Sequence, residues 1–180
     1  MKLYTIGHSN HSLEKFIRLL EENNIGTLVD VRTVPYSRHN PQFNKENLEF
    51  ALSEREILYV FAGKYLGGRP SDPACYKSRT LPVEGADYLH EVDYPEVMKR
   101  AWFLRGMDRL LELADERTTV IMCSEENPAE CHRHHLIAQF LCETHPEVDV
   151  RHIRGDGTVY SARAVRESVN KPSVEQMPLL

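Results

Sequence analysis

Reactive side chains are concentrated in residues 123–135, which hold two cysteines, three histidines, three glutamates and one arginine. A cysteine thiolate is a nucleophile, histidine and glutamate transfer protons, and a guanidinium group binds anions. Cys131, His132 and Glu125 are therefore candidate catalytic residues. Arg133 is a candidate ligand-binding residue.

The same segment has the pattern of a strand, a loop and the start of a helix. Thr118–Met122 is apolar and β-branched, which predicts a strand buried on both faces. Asn127 can cap a helix, Pro128 suits its first position and Glu130 its third, as in a capping box. We therefore predict that a helix begins at Pro128 and carries Cys131 in its first turn. The free N–H groups of such a turn favour anions and lower a thiol pKa.

Each cysteine also has a purely structural interpretation. Cys131 could be a small, half-buried side chain, and Cys123 closes an apolar strand, as a core thiol does. Cys131 and His135 lie four residues apart on the predicted helix, so a metal site with Cys123 and His8 is conceivable. The segment lacks the paired short spacings of a structural zinc site, so we assign no metal ligand and leave any cofactor unknown.

Asp30 and Arg32 follow a second predicted strand, Thr27–Val31. Residues two apart on an extended chain point to the same face, so the two side chains could form an ion pair that holds the loop. Alternatively, Arg32 binds a phosphate or carboxylate while Asp30 orients it or acts as a base. The second interpretation adds Asp30 to the candidate catalytic residues.

Polar residues and glycines also follow the other predicted strands. A glycine pair permits close approach of a ligand to the backbone, although any tight turn uses one. The chain has neither a G-x-G-x-x-G nor a G-x₄-G-K-[ST] motif, so it offers no named nucleotide cofactor site. The candidate ligand-binding residues are His8, Ser9, Arg32, Arg38, Gly67, Gly68, Arg69 and Arg133.

Strands alternate with amphipathic helical stripes, which is typical of an α/β fold. We predict strands at Lys2–Ile6, Thr27–Val31, Ile57–Phe61, Thr118–Met122 and Val148–Ile153. They should form a mainly parallel sheet of about five strands with helices on both faces, in one layered domain. Ligands bind such sheets outside the carboxyl ends of the strands. We therefore expect one cleft there, lined by His8, Asp30, Arg32, Arg69, Glu125, Cys131 and Arg133.

The domain should span residues 1–170, with an irregular loop or lid at 70–93 and a frayed tail at 171–180. A chain of 180 residues with 41% hydrophobic and 27% charged residues is an ordinary globular domain. No apolar run reaches the length of a membrane span and the start does not resemble a signal peptide, so we expect a cytoplasmic protein. Its four scattered cysteines should then be thiols or metal ligands.

Several ordered motifs resemble one known family. They are T5-I-G-H-S9, D30-V-R32, P35-Y-S-R38, P41-Q-F43, L66-G-G-R69, M122-C-S-E125 and C131-H-R133. Together they cover most of residues 1–155 and resemble the domain-of-unknown-function family numbered 488. The resemblance implies an α/β fold and a shared polar site, with no reaction attached. Relatives often carry a histidine after the glycine turn that here reads D156-G-T-V-Y160-S161.

Three functions fit these observations. The first is an enzyme that acts on an anionic, phosphate-bearing or nucleotide-like small molecule through the candidate residues above. The second is a nucleic-acid binding module in which the arginines contact phosphates and Tyr36, Phe43 or Tyr65 stacks on bases. The net charge of −5 and the pI of about 6.0 weigh against it, and against an anionic membrane surface. The third is a non-catalytic domain stabilised by a metal. None of these observations indicates an oligomeric state.

Overall fold

A computed structural model describes residues 1–83 and 85–165. The strands are β1 (Lys2–Gly7), β2 (Thr27–Asp30), β3 (Leu58–Phe61), β4 (Thr119–Cys123), β5 (Asp149–Ile153) and β6 (Val159–Ser161). The α-helices are α1 (Leu13–Glu22), α2 (Lys45–Ser53), α3 (Gly63–Leu66), α4 (Tyr88–Glu91), α5 (Tyr94–Val97), α6 (Ala101–Glu116) and α7 (Gln139–Thr144). The predicted tail at 171–180 lies outside the described residues.

The strands form a six-stranded sheet in the order β3-β2-β4-β1-β5-β6. The five predicted strands pair in parallel, which confirms the predicted fold class of a mainly parallel α/β sheet. The sixth strand, β6, begins a segment whose sequence fits either a hairpin arm or a helix, and it pairs antiparallel with β5 at one edge. A short antiparallel edge strand on an otherwise parallel sheet is common in α/β folds.

Helices cover both faces of the sheet, and the side chains of each strand alternate between two cores. On one face, Ile121 of β4 packs in a cluster with α6 and α7. On the other, Val120 and Met122 pack in a cluster with α1 and α2. This alternation explains why all five residues of β4 are buried, and why the sequence showed a continuous apolar run there.

The strand order brings the loops of the candidate site together. β4 lies between β2 and β1, with Asp30 paired with Met122 and Gly7 paired with Cys123. Because these strands are parallel, the residues after Asp30, after Cys123 and after Gly7 emerge at the same edge of the sheet. We call this edge the carboxyl edge.

The prediction that a helix begins at Pro128 is wrong. Asn127 accepts a hydrogen bond from the backbone of Ala129, as expected of a cap, but it caps only a 3₁₀ turn, Pro128–Glu130. Cys131 is then extended, with φ −141° and ψ 141°, and a π-helix over Arg133–Ala138 continues into α7. Cys131 therefore lies just before the helix instead of inside its first turn. π-helical turns are frequent at functional sites because they shift side chains relative to the α-helical register.

The segment predicted as an irregular loop or lid at 70–93 has more order than its sequence suggested. It contains a 3₁₀ turn at Pro73–Cys75, the short helix α4 and an isolated antiparallel bridge between Tyr76 and Val92. Tyr76 is buried, and its hydroxyl donates a hydrogen bond to the Pro70 carbonyl. The segment is thus packed on the domain. None of the described helices is long and apolar enough to span a membrane.

Gly7 is a point of close backbone approach at the carboxyl edge. A Cβ atom added there would lie 1.8 Å from the carbonyl oxygen of Glu125, so the loop after β4 has room to cross β1 only because residue 7 is glycine.

We expect Gly7→Ala to displace this loop and to lower the free energy of unfolding by about 2 kcal/mol, as overpacking does. Urea denaturation followed by circular dichroism measures this change. Gly26→Ala is the matched control, because its Cβ would meet Arg117 at an ordinary 3.5 Å. Equal stabilities of the two variants would contradict the proposed crossing.

Candidate functional site

A pocket of about 500 Å³ opens at the carboxyl edge. Six of the residues that the sequence singled out line it, namely Arg32, Gly68, Arg69, Glu125, Cys131 and His132. Cys123 and Ser124 at the end of β4 and the aromatic residues Tyr36, Tyr88 and Tyr94 also line the pocket. The segment 86–89, from the predicted loop, forms one of its walls.

The other predicted residues do not line this pocket. His8, Asp30 and Arg133 are buried behind its walls. The sequence analysis expected these three residues in the lining of the cleft, and they are not part of it. Three further candidates also lie outside the lining. Arg38 is exposed, the backbone N–H of Ser9 donates to the Ser124 carbonyl oxygen, and Gly67 is the buried, extended residue that ends α3.

His132 lies between two cysteines. Its Nδ1 atom is 3.7 Å from Cys123 Sγ and 3.8 Å from Cys131 Sγ. Cys123 closes β4, while Cys131 and His132 come from the extended residue and the helix start that follow the 3₁₀ turn. A thiol and an imidazole in contact form the arrangement that activates cysteine nucleophiles.

The tautomer of His132 follows from its other nitrogen. Nε2 lies 3.2 Å from the carbonyl oxygen of Val31 and 3.1 Å from that of Leu66. Both partners can only accept, so we assign the proton to Nε2. Nδ1 of the neutral ring is then free to accept a proton from either sulfur. Gly68 permits this position, because a Cβ there would lie 2.7 Å from the His132 ring.

The pKa values of the two thiols are shifted in opposite directions. Burial alone would raise the pKa of Cys131. The hydrogen bond from Cys123, the positive charge that His132 acquires when it takes the proton, and the charge of Arg133 outweigh burial and lower that pKa well below its ordinary value. The hydrogen bond to Cys131, and then burial, raise the pKa of Cys123. One negative charge is therefore stable at Cys131, while Cys123 keeps its proton.

Arg32 is held in place by a buried ion pair. Its Nε and Nη2 atoms donate to Asp30 at 2.9 and 2.6 Å, and Nη2 also donates to the Phe43 carbonyl oxygen. Asp30 is 0% exposed and also accepts from the Tyr59 hydroxyl at 2.8 Å, so it has no access to the pocket.

His8 supports Arg32 from the other side. Nδ1 of His8 donates to the Ser9 carbonyl oxygen at 2.8 Å, which leaves Nε2 as an acceptor 3.4 Å from Nη1 of Arg32. Burial, and then the charge of Arg32, lower the pKa of His8 to about 4, so its ring stays neutral. These contacts use four of the five N–H groups of Arg32, and among the described residues the remaining Nη1 hydrogen has no partner.

Arg133 anchors the loop after β4 from inside the protein. The side chain is 0% exposed, and its Nη1 and Nη2 atoms donate to the carbonyl oxygens of Glu125 and Glu126. Its Nε donates to the Thr5 hydroxyl at 3.2 Å. None of the ion pairs among the described residues involves Arg133, so no carboxylate is paired directly with it.

Thr5 begins a buried chain of hydrogen bonds. The Thr5 hydroxyl accepts from Arg133 and lies 2.7 Å from Nδ1 of His152, and Nε2 of His152 lies 3.1 Å from Nδ1 of His134. Burial, and then the nearby His134 and Arg133, lower the pKa of His152 to about 3. The imidazole of His152 therefore stays neutral beneath the guanidinium group of Arg133.

Two further charged residues face the pocket. The guanidinium carbon of Arg69 lies 4.5 Å from the centre of the Tyr88 ring, and its backbone N–H donates to the Thr33 hydroxyl. Partial burial, and then the negative charge of Cys131, raise the pKa of Glu125. Arg69 can bind an anion, and Glu125 can release a proton closer to neutral pH than an ordinary glutamate.

Three side chains could hold a soft divalent metal, namely Cys123, Cys131 and His132, whose donor atoms all lie within 4.8 Å of one another. His135, which the sequence suggested as a ligand, is not part of this group: its Nε2 is bonded to the Ala129 carbonyl oxygen at 2.6 Å. Carbonyl groups that orient a histidine through its second nitrogen are also typical of metal sites.

Sequence reasoning missed two residues of this site. Cys123 was interpreted as a core thiol or as a neighbour in a metal site, and its place in the pocket lining follows only from the structure. Tyr94 begins α5, and its buried hydroxyl has no hydrogen-bond partner among the described residues. The one signal for Tyr94 was its place at the end of the irregular segment, directly before Pro95.

We expect Cys131 to react as a thiolate at neutral pH. Its rate of alkylation by iodoacetamide should stay constant from about pH 9 to pH 7, whereas that of a free cysteine derivative falls through its pKa of about 8.5. Mass spectrometry of the alkylated peptides gives the rate at each cysteine. A pH profile of Cys131 equal to that of the free derivative would contradict a lowered pKa.

We expect the buried histidines to destabilise the fold in acid. Below pH 6.5 the unfolded chain binds a proton that His152, with its folded pKa of about 3, does not bind. His152 should therefore reduce the free energy of unfolding by about 2 kcal/mol between pH 7 and pH 5. Urea denaturation at both pH values measures the loss, which His152→Gln should diminish. The control His39→Gln, at an exposed site, should leave it unchanged.

Comparison with known proteins identifies the family. A sequence model described as "Domain of unknown function DUF488" matches residues 12–141, which include Arg32, Arg69, Cys123, Cys131 and His132. No curated protein and no solved structure matches the chain. The match covers more than half of the chain and confirms the resemblance carried by the ordered motifs. The chain therefore belongs to the DUF488 family.

Proposed function

We propose that the protein is an enzyme whose pocket binds an anionic small molecule and attacks it with the thiolate of Cys131. The observation that carries this proposal is the contact of Cys131 with His132 in a pocket that Arg32 also lines. A nucleophile, a base and an anion-binding group thus meet where one substrate could touch all three.

In this proposal His132 and Glu125 transfer protons. Nδ1 of His132 accepts the proton of Cys131, and the carbonyl groups of Val31 and Leu66 hold the ring in the tautomer that can do so. Glu125 lines the same pocket and supplies a proton to the leaving group. Asp30, a candidate base from the sequence, becomes a positioning residue because it is wholly engaged behind Arg32.

The anion is bound by Arg32 and Arg69, together with backbone at Gly68. Arg32 offers one N–H group in a nearly dry setting, where a charged hydrogen bond is strong because few waters compete. His8 acts through Arg32 and Arg133 acts through the loop it anchors, so neither touches the substrate. Ser9, Arg38 and Gly67 take no direct part.

A phosphate-bearing or nucleotide-like substrate fits the shape and walls of the pocket. About 500 Å³ is enough for a small organic molecule, and Tyr36, Tyr88 and Tyr94 offer aromatic surface next to the arginines. Free thiols at all four cysteines are consistent with a reducing compartment, so we also propose a cytoplasmic location.

Two alternatives remain distinct from this proposal. A nucleic-acid module would need a basic surface, and the net charge of −5 disfavours it. A metal bound by Cys123, Cys131 and His132 is favoured by the distances of 3.7 and 3.8 Å between donor atoms, which suit a tetrahedral zinc site. Elemental analysis of the purified protein separates a metal site from a free thiolate.

We expect Arg32→Lys to weaken anion binding although the charge is kept. Lysine cannot make the paired hydrogen bonds to Asp30, so its ammonium group is not held at the pocket wall. The measurement is the rate at which iodoacetate, an anion, alkylates Cys131, divided by the rate for neutral iodoacetamide. We expect Arg32→Lys to lower this ratio about tenfold, which corresponds to about 1.4 kcal/mol.

Arg38→Lys is the matched control, because Arg38 is exposed and does not line the pocket. Its ratio should equal that of the parent protein. If the Arg32→Lys variant is folded and keeps the parent ratio, Arg32 is only part of a structural ion pair and the proposed anion site is wrong.

A further inference from the structure

We propose that Cys123 and Cys131 act together as a dithiol that reduces a small anionic substrate containing a sulfur–sulfur bond. This inference rests on the proposed function, because it uses the same nucleophile and the same anion-binding arginines. It adds the role of the second cysteine, the class of substrate and the type of reaction.

The first support is the position of the two sulfur atoms. They lie within 4.8 Å of each other, and both border the pocket. A disulfide needs a sulfur–sulfur distance of about 2.05 Å, and rotation of a cysteine side chain between staggered positions can close such a gap. Cys75 is buried elsewhere and Cys142 lies on α7, and neither lines the pocket.

The second support is that two separate elements carry the sulfur atoms. Cys123 is fixed at the end of β4, where its carbonyl oxygen accepts a hydrogen bond from the His8 backbone at 2.9 Å. Cys131 lies between a 3₁₀ turn and a π-helix, outside the sheet, and its backbone is hydrogen-bonded to Pro128, His134 and His135. Both backbones are thus held, and rotation of the side chains brings the sulfurs toward a substrate or toward each other.

The third support is the nearly equal distance of His132 from both sulfurs. One imidazole nitrogen 3.7 Å from Cys123 and 3.8 Å from Cys131 can take the proton of either thiol in turn. A dithiol needs a base for each of its two steps.

The chemistry balances in two displacements. The thiolate of Cys131, whose proton is on His132, attacks one sulfur of a substrate R–S–S–R′, and a mixed disulfide forms. R′S⁻ leaves with the electron pair and is protonated by Glu125, which regains a proton from His132 and so leaves Nδ1 free again. His132 then removes the proton of Cys123, whose sulfur attacks Cys131 Sγ, and RS⁻ leaves and takes that proton. The substrate is reduced to two thiols and the protein is oxidised to a Cys123–Cys131 disulfide. A small-molecule thiol, as external reductant, restores the dithiol by the same exchange.

The test uses 5,5′-dithiobis(2-nitrobenzoic acid), an aromatic disulfide with two carboxylates that suits the arginines. The protein carries Cys142→Ser, so that this half-buried thiol outside the pocket does not contribute. We expect release of two thionitrobenzoate anions for each reacting pair, no retained adduct, and an intact mass lower by two hydrogens. With Cys123→Ser or Cys123→Ala added, one anion should be released and the other half should stay on Cys131.

Each outcome decides between the proposals. If the protein with both cysteines keeps a stable adduct on Cys131, the dithiol inference is overturned while the nucleophilic role of Cys131 stands. If Cys131 forms no adduct in either folded Cys123 variant, the proposed function itself fails. If the protein contains stoichiometric zinc and the pair reacts only after treatment with a chelator, the three donor atoms form a metal site and the dithiol inference is overturned. Adding Cys131→Ser instead should abolish rapid release.

Discussion

The site depends on one positive charge that is buried without a carboxylate. Arg133 is 0% exposed and is satisfied only by the carbonyl oxygens of Glu125 and Glu126 and by the Thr5 hydroxyl. Neutral acceptors fulfil its hydrogen bonds, and its charge acts strongly on neighbouring groups because the medium has low polarity. This charge adds to the hydrogen bond from Cys123 and to the effect of His132 in lowering the pKa of Cys131, and so contributes to a thiolate there. The same charge contributes to keeping His152 neutral.

Arg32 illustrates the opposite solution. Asp30 balances its charge completely, and Tyr59, Phe43 and His8 complete the hydrogen bonds around the pair. Such a pair is costly to assemble in the interior and strongly destabilising to break, because either partner alone would be an unpaired buried charge. The ion pair holds the guanidinium group rigidly at the pocket wall, with one N–H group available to a ligand. The two arginines thus have different roles: Arg133 favours the thiolate and Arg32 binds the anion.

Much of the fold could be predicted from the sequence because its signals are local. The apolar run before Cys123 and the amphipathic stripes between strands each specify an element without reference to distant residues. The sequence did not distinguish between two local structures where the same residues suit both. Asn127, Pro128 and Glu130 would suit a full helix, yet the chain forms one 3₁₀ turn, in which the Asn127 side chain donates to Glu130 instead of the reciprocal capping bonds. The later start of the helix is what leaves Cys131 extended and close to Cys123.

The residues at the carboxyl ends of the strands could be identified from the sequence, and parallel pairing places all those ends at one edge. Their arrangement along that edge depends on the folded chain. The order β3-β2-β4-β1 made the residues after Asp30 and Cys123 neighbours, and it depends on packing between helices far apart in the chain. Packing also turned Arg133 inward and left Arg32 at the pocket, although both follow strands. The orientation of a side chain depends on the residues that pack around it, and the spacing of residues along the chain does not specify which residues those are.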